Sequence, residues 1–455
     1  MPNPQMWIMK ITPGTPSQSD GFFKKLFLGD NPKNLIGYTK ESGKIEDFKD
    51  RWERIQIGDL IIVLEGYNKV IGVVRVDSES FDATDTEINE DSDWFTHRRK
   101  ASLIHHFDSP YSASVNTNRD CIIEYSGDSA IVICDEVWNL IKTNYLTIME
   151  KELTAKYIKI LKTNKNLVLT GPPGTGKTHL ARLIAADLIR CSVSELKNEI
   201  QFEFVQFHPA YDYTDFVEGL KPIKVSSDED QPSTIGFELK PGIFKRFCDE
   251  AKKKECAEKD EQDFPFVFII DEINRGDLSR VFGELFYALD PGYRGVDGSI
   301  ATQYSSLAED DTKFYVPKNV YLIGTMNDID RSVESIDFAL RRRFAWFEVE
   351  ATDALFDQVM DGIEMSQDLR NEARSRYLSL NTEITKNSGL GKSYHIGPAY
   401  YRKLKHYLSD DQVWENFWKF HLATLIQEYV RGMPDSDKIV TALKNAYNKE
   451  QTAES

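Results

Sequence analysis

The residues from Gly171 to Thr178 combine glycine, lysine and threonine in a spacing that suits the binding of phosphate groups. They fit the pattern Gly-x-x-x-x-Gly-Lys-Ser/Thr, follow an apolar run at 166–170, and precede apolar residues spaced four apart. A strand, a glycine loop and a helix are the context that this pattern requires. Glycines let backbone N–H groups face phosphate oxygens, and the helix N-terminus adds its dipole. The segment is therefore predicted to bind a nucleoside triphosphate.

Two side chains at the end of this loop have the chemistry that a triphosphate and its cation need. Lys177 supplies a positive charge for the β- and γ-phosphates, and the Thr178 hydroxyl is a ligand for Mg²⁺. Hydrolysis of the triphosphate is the expected reaction. The residues predicted to bind the nucleotide are Gly171, Pro172, Pro173, Gly174, Thr175, Gly176, Lys177, Thr178 and His179.

Two carboxylates end a later apolar run, at 266–270. In a parallel sheet, ligands bind at the carboxyl ends of the strands, which is where Asp271 and Glu272 fall. Asp271 is predicted to bind Mg²⁺ directly or through water. Glu272 is predicted to orient and deprotonate the attacking water.

Polar residues after the next apolar strands extend this site. Asn327 follows the run at 320–325 and is predicted to polarise the same water, with an ordinary turn residue as the alternative. Three arginines, 341–343, then separate a helical segment from a strand. An arginine can stabilise the charge that spreads over the γ-phosphate, and Arg342 and Arg343 are equal candidates. If the arginine acts on a neighbouring subunit, hydrolysis requires a ring.

Composition restricts the broad class of protein. The length of 455 residues suggests two or three domains, and 41% apolar and 28% charged residues are typical of globular chains. The net charge of −17 means that any contact with DNA requires a local basic surface.

No membrane partner is expected, because no apolar run is long enough to span a bilayer and the first residues lack the layout of a signal peptide. Five cysteines without a Cys-x-x-Cys pair favour the reducing cytoplasm, with neither a disulfide framework nor a zinc site.

Three regions differ in their patterns. Residues 1–145 contain β-branched runs joined by a short polar turn, which predicts a small mixed α/β domain with a hairpin at 60–76. Residues 146–350 alternate apolar strands with helical patterns, which predicts a parallel sheet covered by helices on both faces. Residues 351–455 show almost no strand signal and are predicted to form a helical lid. The expected fold class is α/β.

Four further segments give the chain a specific resemblance; they are residues 205–219, 237–248, 273–275 and 326–332. Together with the motifs above, they resemble the McrB-type AAA+ motor subunits of modification-dependent restriction systems. That family usually has Met-Asn-Thr-Ala-Asp-Arg-Ser in the last segment, and this chain has Asp328 and Ile329 in place of Thr-Ala. Asn327, Asp330 and Arg331 stand in register, which implies catalytic roles for Asp330 and Arg331 as well.

The resemblance implies an αβα sandwich that assembles into a homo-hexameric ring, with Mg²⁺ as cofactor and GTP as the preferred substrate. The chain has no Asn-Lys-x-Asp guanine signature, so that ATP remains an alternative. In this family a separate McrC-type nuclease subunit binds the ring, stimulates hydrolysis and cleaves the DNA. The chain has no nuclease constellation of its own, in agreement with cleavage by such a partner.

The N-terminal region resembles an EVE domain of the PUA/YTH-like mixed β-barrels. The matching features are the opening Trp7-Ile-Met-Lys, Trp52, and the hairpin at 57–76. The resemblance implies that modified double-stranded DNA is read through a flipped base in an aromatic pocket, where stacking offsets the cost of flipping. Core packing is the alternative role for each aromatic residue. The candidate DNA-binding residues are Trp52, Tyr67, Trp94, Arg98 and Arg99.

The leading hypothesis is a GTP-hydrolysing motor subunit that recognises modified DNA and activates a separate nuclease. One alternative is a chaperone-like AAA+ ATPase that remodels protein or RNA complexes. A second alternative is a sensor in which the nucleotide only sets the oligomeric state. The sequence leaves open which base modification and DNA context are read, and whether the ring translocates.

Overall fold

The computed structural model divides the chain into two compact units, Met1–Lys151 and Glu152–Ser455. It describes residues 6–11, 35–38, 52–65, 69–82, 97–112, 114–115, 122–124, 131–132, 151–225, 234–255, 264–307, 313–329, 338–360, 363, 365–386 and 390–449. Four candidate site residues lie outside this part of the chain: Tyr67, Trp94, Asp330 and Arg331.

The first unit is built on a mixed sheet. Its strands are β1 (Met6–Ile11), β2 (Leu35–Tyr38), β3 (Leu60–Glu65), β4 (Lys69–Val76), β5 (Phe81–Asp82), β6 (His97–Ser112), β7 (Ser114–Val115), β8 (Ile122–Glu124) and β9 (Ile131–Val132). The order in the mixed sheet is β2-β6-β4-β3-β1-β8, with β5 beside β6, and β7 and β9 form a separate antiparallel pair. Strands β1 and β3 run parallel, and the other neighbours are antiparallel. The predicted hairpin is confirmed as β3 and β4, whose β-branched residues form a buried layer.

The second unit contains a five-stranded parallel sheet in the order β11-β14-β15-β10-β16. These strands are β10 (Asn166–Thr170), β11 (Phe202–Gln206), β14 (Phe266–Asp271), β15 (Val320–Thr325) and β16 (Ala345–Glu348). The predicted parallel sheet is therefore confirmed. Because β15 lies between β10 and β14, the loop after β10 and the carboxylates after β14 meet at one edge of the sheet.

Helices cover both faces of this sheet. The covering helices are α1 (residues 151–164), α2 (Lys177–Ile189), α3 (Tyr213–Phe216), α4 (Ile243–Glu255), α5 (Leu278–Phe282) and α6 (Leu285–Leu289). A short helix, α7 (Phe338–Arg341), precedes β16. Alternate strand residues point to opposite faces. Leu167 and Ile269 join a core with α1 and α2, whereas Val168 and Phe268 join a core with α4, α5 and α6. This arrangement is the predicted αβα sandwich.

A two-stranded antiparallel ribbon, β12 (Glu218–Val225) and β13 (Thr234–Pro241), precedes α4. The sequence analysis assigned no strands to this segment. Strands were predicted from continuous apolar runs, which are typical of buried strands. The ribbon has no such run, and its apolar residues Leu220, Ile235 and Phe237 are exposed.

The C-terminal part of the second unit is helical, as predicted. This lid contains α8 (Asp353–Met360), α9 (Gln367–Lys386), α10 (Val413–Phe417), α11 (Ala423–Tyr429) and α12 (Ser436–Asn448), with 3₁₀ turns including Pro398–His406. It has a core of its own, centred on the buried rings of Tyr377, Tyr401 and Tyr447. Among the helices that the structure describes, none has the length and apolar character of a membrane span.

Candidate nucleotide-hydrolysis site

The glycine loop between β10 and α2 has the backbone geometry of an anion-binding site. Gly171, Gly174 and Gly176 all have positive φ angles, of 135°, 78° and 80°. At Gly171, a Cβ atom would lie 2.5 Å from the carbonyl oxygen of Val349, so that only glycine fits. Helix α2 begins at Lys177 with no acidic residue in its first turn and no side-chain cap, which leaves its N-terminal amides facing the loop. The exposed side chain of His179 lies in the same turn.

The ammonium group of Lys177 is held inside this loop. The side chain is only 6% exposed, and Nζ donates hydrogen bonds to the carbonyl oxygens of Gly171 at 3.0 Å and Pro172 at 2.7 Å. Burial lowers the pKa of Lys177 to about 8, while nearby carboxylates oppose that shift. These carboxylates belong to Asp328, Glu272 and Asp271.

The two residues predicted to hold Mg²⁺ are in contact. Thr178 Oγ1 donates a hydrogen bond of 2.7 Å to Oδ1 of Asp271, at the end of β14. Thr325, the last residue of β15, donates a second hydrogen bond of 2.6 Å to the same oxygen. A carboxylate and hydroxyl oxygens are the hard ligands that Mg²⁺ prefers, so the residues present fit this cation.

Sequence reasoning did not identify Thr325 as a site residue. Its side chain is buried, and its Oγ1 also accepts a hydrogen bond from the backbone N–H of Glu272. The available signal was its position at the carboxyl end of a strand next to β14, which is where site residues of such sheets lie.

The predicted catalytic carboxylate and the predicted sensor residue also meet. Asn327 Nδ2 donates a hydrogen bond of 2.7 Å to Oε1 of Glu272, and Arg275 Nε lies 3.4 Å from Oε2. The backbone of Glu272 is left-handed, with φ at 53°. Such a conformation costs a non-glycine residue about 1–3 kcal/mol and is typical of functional sites.

Asp328, where the family pattern has threonine, belongs to the same pocket. Desolvation raises the pKa of this carboxyl, whereas Lys177 and the backbone N–H of Gly171 lower it. This chain therefore brings a third carboxylate within electrostatic reach of Lys177, the lysine that is predicted to bind the phosphates.

The three consecutive arginines have different surroundings. The guanidinium of Arg341 lies 5.5 Å from the centre of the Trp346 ring, and that of Arg343 lies 5.8 Å from the centre of the Phe286 ring. Arg342 is exposed, and within the described part of the chain its side chain makes no hydrogen bond, ion pair or ring contact. This difference separates two residues that the sequence left equal.

The lid contacts the glycine loop directly. The backbone N–H groups of Gly397 and Ala399 donate hydrogen bonds to the carbonyl oxygens of Pro173 and Gly174, at 3.1 and 3.0 Å. A Cβ atom on Gly397 would lie 2.0 Å from the carbonyl carbon of Gly174. The sequence analysis did not predict this clasp, whose partners are more than 200 residues apart.

Two of the predicted DNA-binding residues have a structural role instead. The side chains of Trp52 and Arg99 are both 1% exposed. Arg99 Nη2 donates a hydrogen bond of 2.9 Å to the carbonyl oxygen of Trp52, and Trp52 Nε1 donates one of 2.7 Å to Ser80. Since neither side chain is accessible, the prediction that they contact DNA is wrong for this arrangement. Arg98 lies in β6, and its side chain is outside the description.

Comparisons with known proteins agree with this geometry. Residues 166–344 match the family model of the AAA domain (dynein-related subfamily). The chain is 33% identical over 358 residues to the Type IV methyl-directed restriction enzyme EcoKMcrB subunit of Escherichia coli (strain K12), which covers 77% of this chain and 70% of that subunit. The chain belongs to the McrB family.

A second relative of this McrB family member is the Type II restriction enzyme BsuMI component YdiS of Bacillus subtilis (strain 168). The two are 25% identical over 340 residues, or 65% of this chain and 94% of that component. Family membership and the AAA domain make this McrB protein a nucleoside triphosphatase. Among solved structures, the YTH domain of a Zygosaccharomyces rouxii protein in complex with N6-methyladenosine RNA aligns with 32% of this chain. That alignment covers 88% of the solved chain, with a TM-score of 0.19 and 15% sequence identity.

We expect Glu272→Gln to bind nucleotide with near-normal affinity and to hydrolyse it at least about 100-fold more slowly, because a general base contributes about 10²–10⁴-fold. The amide keeps the shape of the side chain but cannot accept the proton of water. Steady-state rates with GTP and ATP, and the affinity for a fluorescent nucleotide, measure both effects. Glu238→Gln, on the exposed ribbon, is the control. Near-normal turnover would remove Glu272 from this role.

Gly397→Ala is expected to weaken nucleotide binding, because the added methyl group would separate the lid from the loop. An overpacked contact costs about 1–3 kcal/mol, which corresponds to about 5- to 150-fold in the dissociation constant. The matched control is Gly391→Ala in the same lid, where a Cβ atom meets nothing within 4 Å. Equal affinities for the two variants would show that nucleotide binding does not depend on the clasp.

Proposed function

We propose that this McrB protein is the GTP-driven AAA+ motor subunit of a modification-dependent DNA restriction complex. The observation that carries the proposal is the contact of Thr178, Asp271 and Thr325 beside the pair of Glu272 and Asn327, in a chain of this family. The relative from Escherichia coli is named a methyl-directed restriction enzyme subunit. The preference for GTP rests on the family resemblance, and ATP is the alternative substrate.

In this proposal, each side chain of the pocket has a defined task. The loop amides and Lys177 bind the β- and γ-phosphates, and Thr178 and Asp271 hold Mg²⁺, which neutralises phosphate charge when bound. Glu272 accepts a proton from the attacking water. The hydrogen bond from Asn327 fixes the orientation of the Glu272 carboxylate. Asp330 and Arg331 keep the supporting catalytic roles that the resemblance implies.

The arginine is proposed to come from a neighbouring copy in a homo-hexameric ring. In the parallel sheet, Ala345 at the start of β16 is paired with Leu167 near the start of β10. The arginines therefore precede β16 at the amino edge of the sheet, whereas Asp271 and Glu272 lie at the carboxyl edge. A residue at one edge cannot serve the site at the other edge of the same sheet. Because Arg342 is exposed, we assign this role to it rather than to Arg343.

Partners in this proposal are modified double-stranded DNA with a flipped base and a McrC-type nuclease subunit, in the cytoplasm. The N-terminal unit reads the DNA. With Trp52 and Arg99 buried in the core of that unit, Tyr67, Trp94 and Arg98 are the remaining candidates for base and phosphate contacts.

Arg342→Ala is expected to lose hydrolysis by about 10³-fold or more, the usual effect of removing an arginine finger. Mixing it with Glu272→Gln subunits should restore activity, because the Arg342→Ala subunits keep an intact pocket and the others supply the arginine. Arg341→Ala is the matched control and should retain activity on its own. A steady-state rate that does not recover on mixing would assign Arg342 to the site of its own subunit.

The full-length protein is expected to bind one modified duplex more tightly than the unmodified duplex, by about 1–3 kcal/mol per recognised base. Fluorescence anisotropy with methylated, hydroxymethylated and plain DNA at a fixed salt concentration measures this difference. Trp94→Ala should remove the preference, whereas Phe420→Ala, which removes an exposed ring of the lid, should not. Equal affinity for all three duplexes would contradict the reader role.

A further inference from the structure

Arg294 is a buried cation without a carboxylate partner in the part of the chain that the structure describes. Its side chain is 3% exposed, and burial lowers its pKa to about 10, so it is protonated at neutral pH. Its donors bind neutral oxygens: Leu289 O at 3.2 Å, Val320 O at 3.4 Å and Asn166 Oδ1 at 2.5 Å. Burying a charge in this way costs several kcal/mol, so the arginine is not explained by stability alone.

The strongest of these contacts orients Asn166, the first residue of β10. Because Oδ1 must face the guanidinium, both hydrogens of Nδ2 point away from it. They are donated to the carbonyl oxygens of Leu289 and Arg343, each at 2.8 Å. The side chain is fully buried and all of its hydrogen-bonding groups are used.

A second side chain holds the other flank of the same turn. Trp346 Nε1 donates a hydrogen bond of 2.8 Å to the carbonyl oxygen of Arg341. The carbonyl groups on both sides of Arg342 are therefore fixed. Asn166 binds the carbonyl oxygen of Arg343, and Trp346 binds that of Arg341. Between these two anchors, the side chain of Arg342 remains exposed.

We propose that Asn166, oriented by Arg294, and Trp346 are positioning residues that clamp the turn at residues 341–343 and present Arg342 to the nucleotide site of a neighbouring copy. This inference rests on the proposed trans role of Arg342. With this clamp, strand β10 would contribute to two nucleotide sites, one in its own subunit and one in a neighbouring copy. The carboxyl end of this strand leads into the glycine loop of its own subunit, and its amino end holds the arginine that another subunit uses.

Two substitutions separate positioning from folding. Asn166→Asp keeps the volume and still accepts from Arg294, but it replaces the donor to Leu289 O and Arg343 O with an acceptor. Trp346→Phe removes the N–H donor to Arg341 O and keeps an aromatic ring beside Arg341. A misplacement of about 1 Å costs about 100-fold in rate. Each variant alone should therefore hydrolyse nucleotide about 100-fold more slowly, with nucleotide affinity near that of the unmodified protein. Trp346→Phe should also keep the melting temperature, whereas Asn166→Asp should lower it, because two carbonyl oxygens lose a hydrogen-bond donor.

The deciding measurement is the hydrolysis rate of mixtures with Glu272→Gln subunits. Asn166→Asp and Trp346→Phe subunits have intact pockets, so a neighbour with a correctly placed Arg342 should restore their activity. Lys177→Ala, whose own pocket is damaged, should not recover. The clamp is refuted if Asn166→Asp and Trp346→Phe are fully active alone. It is also refuted if Arg342→Ala recovers on mixing and these two variants do not, and in that case the trans role of Arg342 is retained.

If Arg342→Ala itself fails to recover, the trans role in the proposed function is refuted, and the clamp falls with it. If Asn166→Asp does not fold, as judged by its melting curve, Trp346→Phe decides the question alone. Its side chain is half-buried at the edge of the core that contains Val168 and Phe268, and phenylalanine keeps an aromatic ring at this position.

Discussion

The hydrogen bonds on one oxygen of Asp271 hold the nucleotide site together. Thr178 reaches this oxygen from the first turn of α2, and Thr325 reaches it from the end of β15. The strand order puts β15 between β14 and β10, so these two hydroxyl groups join three neighbouring elements at the carboxyl edge of the sheet. The position of Glu272 depends on the same hydrogen-bond network, because its backbone N–H donates a hydrogen bond to Thr325 Oγ1. A change in the register of any one strand would move all of these groups.

The carboxylate that is predicted to be catalytic is held in a conformation that an isolated segment would avoid. Glu272 has a left-handed backbone, which lets the chain turn out of β14 immediately after Asp271. The hydrogen bond from Asn327 and the ion pair with Arg275 hold its side chain in place. Both partners come from turns that follow buried strands. The rigid sheet thus stabilises a strained residue at its edge, which is a common use of parallel sheets in enzymes.

The site residues that belong to local sequence motifs could be predicted. Those whose role depends on contacts between residues far apart in sequence could not. The glycine loop, Asp271 and Glu272 are each recognised from a few consecutive residues whose spacing follows from backbone geometry. Gly397 carries no such motif, and Thr325 has only its position at the end of an apolar run. The importance of both arises when the sheet and the lid bring them to residues far away in sequence. The same limit explains Trp52 and Arg99. An aromatic residue and a basic run fit a DNA pocket as well as a core, and only the burial of both side chains distinguishes the two.

Strand β10 links the turn at residues 341–343, to which its first residue Asn166 is hydrogen-bonded, with the glycine loop that follows Thr170. Its residues from Asn166 to Thr170 span four steps of about 3.3 Å, or about 13 Å, between the arginine turn and the glycine loop. A strand buried on both faces and paired on both sides is stiff, because any shift would break hydrogen bonds to β15 and β16 together. A displacement of the glycine loop by the lid clasp would therefore reach Asn166, and so the turn at residues 341–343 that Asn166 holds. Under the proposed trans role of Arg342, this strand would couple neighbouring nucleotide sites without a separate moving element.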